Sequence, residues 1–130
     1  MTLKRVLVAD DLASVLRAIT ALLQGSFNVV GMVSDGKAAL DGILELQPDL
    51  AILDISMPGM NGLEVATELK GSLSRTKIVF LTVHEDSGIM AACLAAGALG
   101  YVVKELMNSD LILAMNEALA GRVFVSRLCS

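Results

Sequence analysis

Three aspartates and a lysine stand where apolar stretches of this chain stop. Asp10 and Asp11 close VLVADD, Asp54 opens DISMPGMNG, and Lys104 closes YVVK. Laid side by side, those stretches would bring three carboxylates and one ammonium to a single edge. Carboxylates gathered so closely repel one another unless a cation joins them. Such a set suits a divalent metal with a phosphoryl group beside it. Mg²⁺ takes a few carboxylate and carbonyl oxygens and keeps several waters. Asp11 and Asp54, with a carbonyl from the loop at Ser56, make a set of that kind, and Asp10 would act through water. The same acids also suit the start of a first helix, where negative charge is favoured.

Further polar residues fall at matching positions. Thr82 follows IVFL and offers a hydroxyl to a phosphoryl oxygen. Lys104 follows a buried run, and an ammonium drawn into a sheet edge needs an acidic partner. Asp54 precedes a loop holding Pro58, Gly59, Asn61 and Gly62, residues that set turn geometry. A carboxylate at a strand end, backed by so ordered a loop, can act as a nucleophile. His84, the single histidine, lies two residues past Thr82, near the mouth of such a site, where it could modulate the chemistry. Tyr101, the single tyrosine, lies three residues before Lys104 and is either plain core or a ring that swings between outward and inward positions.

The elements that must position these groups are legible as apolar runs. Five of them, at 6–9, 29–33, 50–53, 78–81 and 101–103, do not alternate with polar residues. Continuous runs of this kind are strands covered on both faces, the habit of parallel sheets. Between them the spacing turns helical. Leu12, Val15, Leu16, Ile19, Leu22 and Leu23 form one stripe, ended by Gly25. Leu40, Ile43 and Leu44 mark a second helix; Leu63, Ala66 and Leu69 a third, closed near Gly71. Ile89, Cys93 and Ala96 mark a fourth, closed by Gly97. Leu111, Met115 and Leu119 mark a fifth, with Ser109 as its cap and Gly121 as its stop. Strand and helix thus alternate five times, which predicts a doubly wound α/β fold with helices on both faces of a five-stranded parallel sheet. In such sheets ligands gather beyond the carboxyl ends of the strands, where strand order reverses.

A length of 130 residues suits one domain, and 55% apolar residues give it a well-filled core. A net charge of −4 argues against a uniformly basic nucleic-acid surface. Residues 87–103 carry no charge, but Gly88, Gly97 and Gly100 interrupt them, so a buried helix, a turn and a buried strand are expected rather than a membrane span. The opening MTLKRVLVADD turns acidic too early for a targeting segment. Cys93 is expected as a buried small side chain and Cys129 as part of a mobile end, with neither in metal-ligand or disulfide spacing, which fits a reducing cytoplasm. The seven methionines are expected as core filler.

Taken together, the acidic pair, LDISMPGMNG, the Thr after IVFL and GALGYVVKE resemble the receiver domain of two-component response regulators. The resemblance covers residues 4 to about 125 and leaves 126–130 as a tail, the possible start of a linker to an effector domain. MPGMNGLEV, AAGALGYVVKE and ALAGRVFVS are most similar to the NarL/FixJ-type branch, in which a LuxR-type DNA-binding domain usually follows. The resemblance implies a flavodoxin-like strand order 2-1-3-4-5. It implies Asp54 as phosphoacceptor, Mg²⁺ on Asp10, Asp11, Asp54 and the Ser56 carbonyl, phosphoryl contacts from Thr82 and Lys104, and a Thr82–Tyr101 switch pair. It further implies a sensor histidine kinase as donor, a homodimer through a helical face, and no direct contact of this domain with nucleic acid or membrane. The only chemistry would be its own phosphotransfer and slow autodephosphorylation. Where many such domains have proline after the lysine this chain has Glu105, which leaves the Lys104–Glu105 bond open between cis and trans. Other readings are a constitutive interaction module, a flavodoxin, or an aspartate-dependent phosphatase. A flavodoxin would want a Ser/Thr/Gly-rich loop where this chain has Asp-Asp-Leu-Ala.

Overall fold

The computed structural model describes residues 2–127, so Cys129 and residues 128–130 of the tail lie outside the described residues. The chain alternates strand and helix as its periodicity predicts. The elements are β1 (Arg5–Ala9), α1 (Ala13–Leu23), β2 (Asn28–Val33), α2 (Gly36–Leu46), β3 (Leu50–Leu53), α3 (Gly62–Lys70), β4 (Lys77–Thr82), α4 (Ser87–Ala95), β5 (Gly100–Val103), α5 (Met107–Leu119) and β6 (Phe124–Val125). A single 3₁₀ turn, Lys104–Leu106, joins β5 to α5. The sheet order is β2-β1-β3-β4-β5-β6 and every pairing is parallel. The expected order of the first five strands is present, and the short sixth strand extends it along β5.

Period-two alternation divides the core between the two faces of the sheet. Leu7, Ala9, Ala51, Leu53, Phe80 and Tyr101 face α2, α3 and α4, where Ile43, Val65 and Cys93 meet them. Val6, Val8, Leu50, Ile52, Val79 and Val102 face α1 and α5, where Ile19, Leu23, Leu111 and Met115 meet them. Each fully buried large aliphatic side chain contributes roughly 1.5–3 kcal/mol, so this double layer fixes the strand ends that carry the site. Residues 87–103 form α4, a turn and β5, and Cys93 is buried, both as expected.

Local chemistry starts and stops the helices. Asp35 caps α2 through the Ala38 amide, and Asp86 caps α4 through the amides of Gly88 and Ile89. Asn61 and Glu64 form a reciprocal capping box at α3. Four expectations need correction. Ser109 does not cap α5, because the 3₁₀ turn runs straight into a helix starting at Met107, and the Ser109 hydroxyl donates to the Leu106 carbonyl instead. Asp10 and Asp11 lie before Leu12, which holds the cap position of α1 without a side-chain bond. Leu44 is exposed, so Ala39 and Ile43 make the buried seam of α2. Met32 is 55% exposed on edge strand β2, unlike the buried Met57 and Met115.

Candidate functional site

Strand register brings the charged residues together. Ala9 pairs with Leu53, Leu53 with Phe80, and Phe80 with Tyr101. The next residues on β1 and β3 are Asp10 and Asp54, leaving the sheet on neighbouring strands. The Asp54 amide donates to the Ala9 carbonyl at 3.0 Å and the Asp10 amide to the Val33 carbonyl at 3.1 Å, so both backbones are held up to the point where the side chains turn away. Thr82 pairs with Val103, which places Lys104 just past them on β5.

Lys104 Nζ lies 2.9 Å from Asp10 Oδ2 and 3.1 Å from Asp54 Oδ2. Asp10 is 1% exposed and Asp54 4%, so both carboxylates are shut away from bulk water. Asp10 Oδ1 accepts the Leu12 amide at 2.9 Å, and Asp54 Oδ1 accepts the Ser56 amide at a long 3.4 Å. Asp10 Oδ2 has charge contact with Lys104 but no aligned hydrogen bond, which leaves a buried oxygen short of a partner. Asp11 is exposed, yet one carboxylate oxygen from each of Asp10, Asp11 and Asp54 falls within 4.8 Å of the others. Three carboxylates against one ammonium leave an excess of negative charge, and the underbonded Asp10 oxygen is a ready ligand. These residues fit a hard divalent cation, for which clustered oxygen donors are the natural set.

Burial, the largest influence, pushes the Asp54 carboxyl above the usual carboxylate range; Lys104 opposes this and Asp10 adds to it. Burial also works against charge on Lys104. Its close contacts with Asp10 and Asp54 and their negative charge outweigh that, and its pKa rises. The ammonium is therefore secure, while the carboxylate beside it is held in a site that disfavours its charge.

A second chain of contacts runs behind this cup. Thr82 is fully buried, and its Oγ1 accepts the His84 amide at 3.2 Å. The His84 carbonyl accepts the Tyr101 hydroxyl at 2.9 Å, with the Tyr101 ring fully buried. Tyr101 therefore occupies the inward of its two expected positions. Burial, with negative charge at Cys93 and Asp86 adding, pushes the phenol up to about 12. His84 Nε2 lies 2.9 Å from Ser56 Oγ, so the loops after β3 and β4 touch across the site mouth. The Ser56–His84 pairing has no signal in the sequence, since 28 positions separate its members. The Lys104–Glu105 peptide is trans, because no peptide bond among the described residues is cis.

The parallel α/β fold thus gathers two buried aspartates, a lysine and a threonine at one sheet edge. The chain belongs to the response regulator receiver domain family, whose model matches residues 6–116. It is similar to a transcriptional regulatory protein NarL of Mycobacterium tuberculosis, with 36% identity over 126 residues, covering 94% of this chain and 57% of that protein. It is also similar to the oxygen regulatory protein NreC of Staphylococcus epidermidis, with 36% identity over 124 residues, 93% of this chain and 57% of that one. The chain thus spans little more than half the length of these curated relatives. Among solved structures, the signal receiver domain of M. tuberculosis NarL superposes with a TM-score of 0.89 at 33% identity, covering 94% of this chain and all of that one. The isolated receiver domain of RcsB from Salmonella enterica, solved with a beryllofluoride phosphomimetic, gives 0.87 at 28% identity, with 97% and 95% covered. The chain is therefore a receiver domain of the kind found in NarL- and NreC-like transcriptional response regulators. No helix among the described residues is long and apolar enough to cross a membrane.

Proposed function

We propose that this domain is a phosphorylation-dependent switch with Asp54 as phosphoacceptor. The observation that carries the reading is the buried Asp54 carboxylate, 3.1 Å from the Lys104 ammonium and clustered with Asp10 and Asp11. The donor is a phosphohistidine on a sensor kinase. An Asp54 oxygen attacks phosphorus in line; a P–O bond forms as the P–N bond to the donor imidazole breaks, and the electron pair leaves with the nitrogen. Lys104 offsets charge on the phosphoryl oxygens, and the Thr82 hydroxyl donates to one of them. Asp10, Asp11, Asp54 and the Ser56 carbonyl would hold Mg²⁺, whose part when bound is to neutralise charge on those same oxygens. Slow hydrolysis of the aspartyl phosphate resets the domain, and the histidine facing Ser56 tunes access to the site.

Once modified, Asp54 draws Thr82 toward the phosphoryl group, and the Tyr101 ring is held inward by filling the space that Thr82 leaves. The equilibrium shifts only as far as the phosphoryl group's differential contacts allow. Residues 4–125 are the receiver unit and residues 126–130 lead outward. In the full protein this unit governs a DNA-binding domain, makes no nucleic-acid contact itself, pairs through a helical face, and works in the cytoplasm. Incubation with acetyl phosphate, with and without Mg²⁺, tests the reading on a phosphate-affinity gel. One slower band that requires Mg²⁺ is expected; no shift in either condition would refute it.

A further inference from the structure

The short strand β6 is tied to the two ends of β5 that matter most. Val125 pairs with Tyr101 and packs against the apolar cluster to which Tyr101 belongs. The Ser126 amide donates to the Tyr101 carbonyl at 2.8 Å. Ser126 is itself buried; its hydroxyl donates to Asp110 Oδ2 at 2.6 Å and accepts the Val103 amide at 3.4 Å. Val103 immediately precedes Lys104. Asp110 belongs to the first turn of α5, where the Ser109 hydroxyl also reaches its other oxygen and the carbonyl of Leu106, at the end of the turn that starts with Lys104. Ser126 thus closes a loop of contacts that includes both the switch tyrosine and the backbone carrying the site lysine.

A strand of two residues has little stability of its own. Its docking depends on the strand it pairs with, and there Val125 stands beside Tyr101. With the ring inward, Val125 packs on a filled surface. With the ring outward, the cluster beside Val125 loses its largest member, and the strand keeps only its ladder to β5, the packing of Phe124 on the other face and the bonds of Ser126. We infer that docking of residues 124–126 and the inward state of Tyr101 form one cooperative unit, with Ser126 as its latch, so that the state of Asp54 is passed to the chain leaving β6. This rests on the proposed phosphoacceptor role of Asp54 and adds its route of output.

Coupling between two events is reciprocal in binding free energy. Beryllofluoride with Mg²⁺, the phosphoryl mimic, must therefore protect β6 by the same factor that β6 docking strengthens beryllofluoride binding. The test uses the whole 130-residue chain. Amide exchange of residues 122–127 is followed with and without beryllofluoride, and its affinity is measured for wild type, Ser126→Ala and Ser126→Thr. The expected result is exchange slowed about tenfold in wild type, with Ser126→Ala binding beryllofluoride about tenfold more weakly and Ser126→Thr restoring both effects. Melting curves of all three variants report general loss of structure, which Ser126→Thr would not rescue selectively. If wild type binds beryllofluoride and exchange at 122–127 is unchanged, the latch is overturned while the phosphoacceptor reading stands. If wild type binds no beryllofluoride, both fall together.

Discussion

Gly62 lies so close behind Asp54 that a Cβ built on it would stand 2.1 Å from the Asp54 carbonyl oxygen. The first residue of α3 is therefore the backing of the acidic cup. Gly36 plays a similar part at α2, where a Cβ would stand 1.7 Å from the Met60 carbonyl oxygen, so the loop from β3 to α3 is pinned from two sides. Gly62→Ala has no flexible side chain to push aside and must move backbone. Such overpacking costs about 1–3 kcal/mol. Urea unfolding should show a loss in that range, and phosphoryl labelling should fall with it. Unchanged stability would mean that the contact relaxes freely.

Asp54 is a charge that the fold tolerates rather than favours. Its folded pKa lies above the unfolded value of 3.8, chiefly through burial. A raised acid contributes stability that is present below its unfolded pKa and is lost as pH rises through its folded pKa. Asp54→Asn should therefore melt higher than wild type near pH 7 without divalent metal. The difference should shrink as pH falls back toward 3.8. Added Mg²⁺ should narrow it too, by stabilising wild type alone. A lower melting temperature for Asp54→Asn at neutral pH would contradict this.

Lys104 is the counterweight to two buried carboxylates. Removing one partner of a buried ion pair leaves uncompensated charge and costs about 3–5 kcal/mol. Lys104→Met is expected to lose stability toward the lower end of that range, since the lysine side chain keeps 15% exposure. Part of the loss should return with Mg²⁺, because the freed carboxylates then find another cation. Denaturant titrations at two Mg²⁺ concentrations measure this, and a loss indifferent to Mg²⁺ would count against a shared cation site.

Tyr101 gives an optical probe, being the only tyrosine in a chain without tryptophan. Its ionisation, read near the ultraviolet absorbance of tyrosinate, should centre at about 12 rather than at the ordinary value of 10.0. Stability should fall as pH climbs through that window, because the unfolded phenol ionises first. Tyr101→Phe removes the bond to the His84 carbonyl and should cost about 1 kcal/mol. A midpoint near the ordinary value would place the ring at the surface.

Much of this was written in the chain because β1, β3, β4 and β5 are covered on both faces along nearly their whole length, edge strand β2 being the exception. A polar residue ending such a run is conspicuous, and Asp10, Asp54, Thr82 and Lys104 all stand there. Glycine stops were equally plain at Gly97 and Gly121, both of which adopt positive φ. What stayed hidden depends on contacts between distant segments. The mixed sequence RVFVS forms β6 only because β5 offers a free edge, and Ser126 becomes buried only once Asp110 receives its hydroxyl. Ser109 looked like a helix cap because its type is right; the 3₁₀ turn after Lys104 had already started the helix. Leu44 matched the helical stripe of α2, but the stripe is narrower than its spacing allowed.

The most direct test of the central claim is chemical trapping of the acyl phosphate. After incubation with acetyl phosphate and Mg²⁺, borohydride reduces an aspartyl phosphate to homoserine, and peptide mass spectrometry locates it. The prediction is homoserine at position 54 alone, absent when Mg²⁺ is chelated. Homoserine at position 10 or 11, or none at 54 in a chain that has taken up phosphoryl groups, would contradict it.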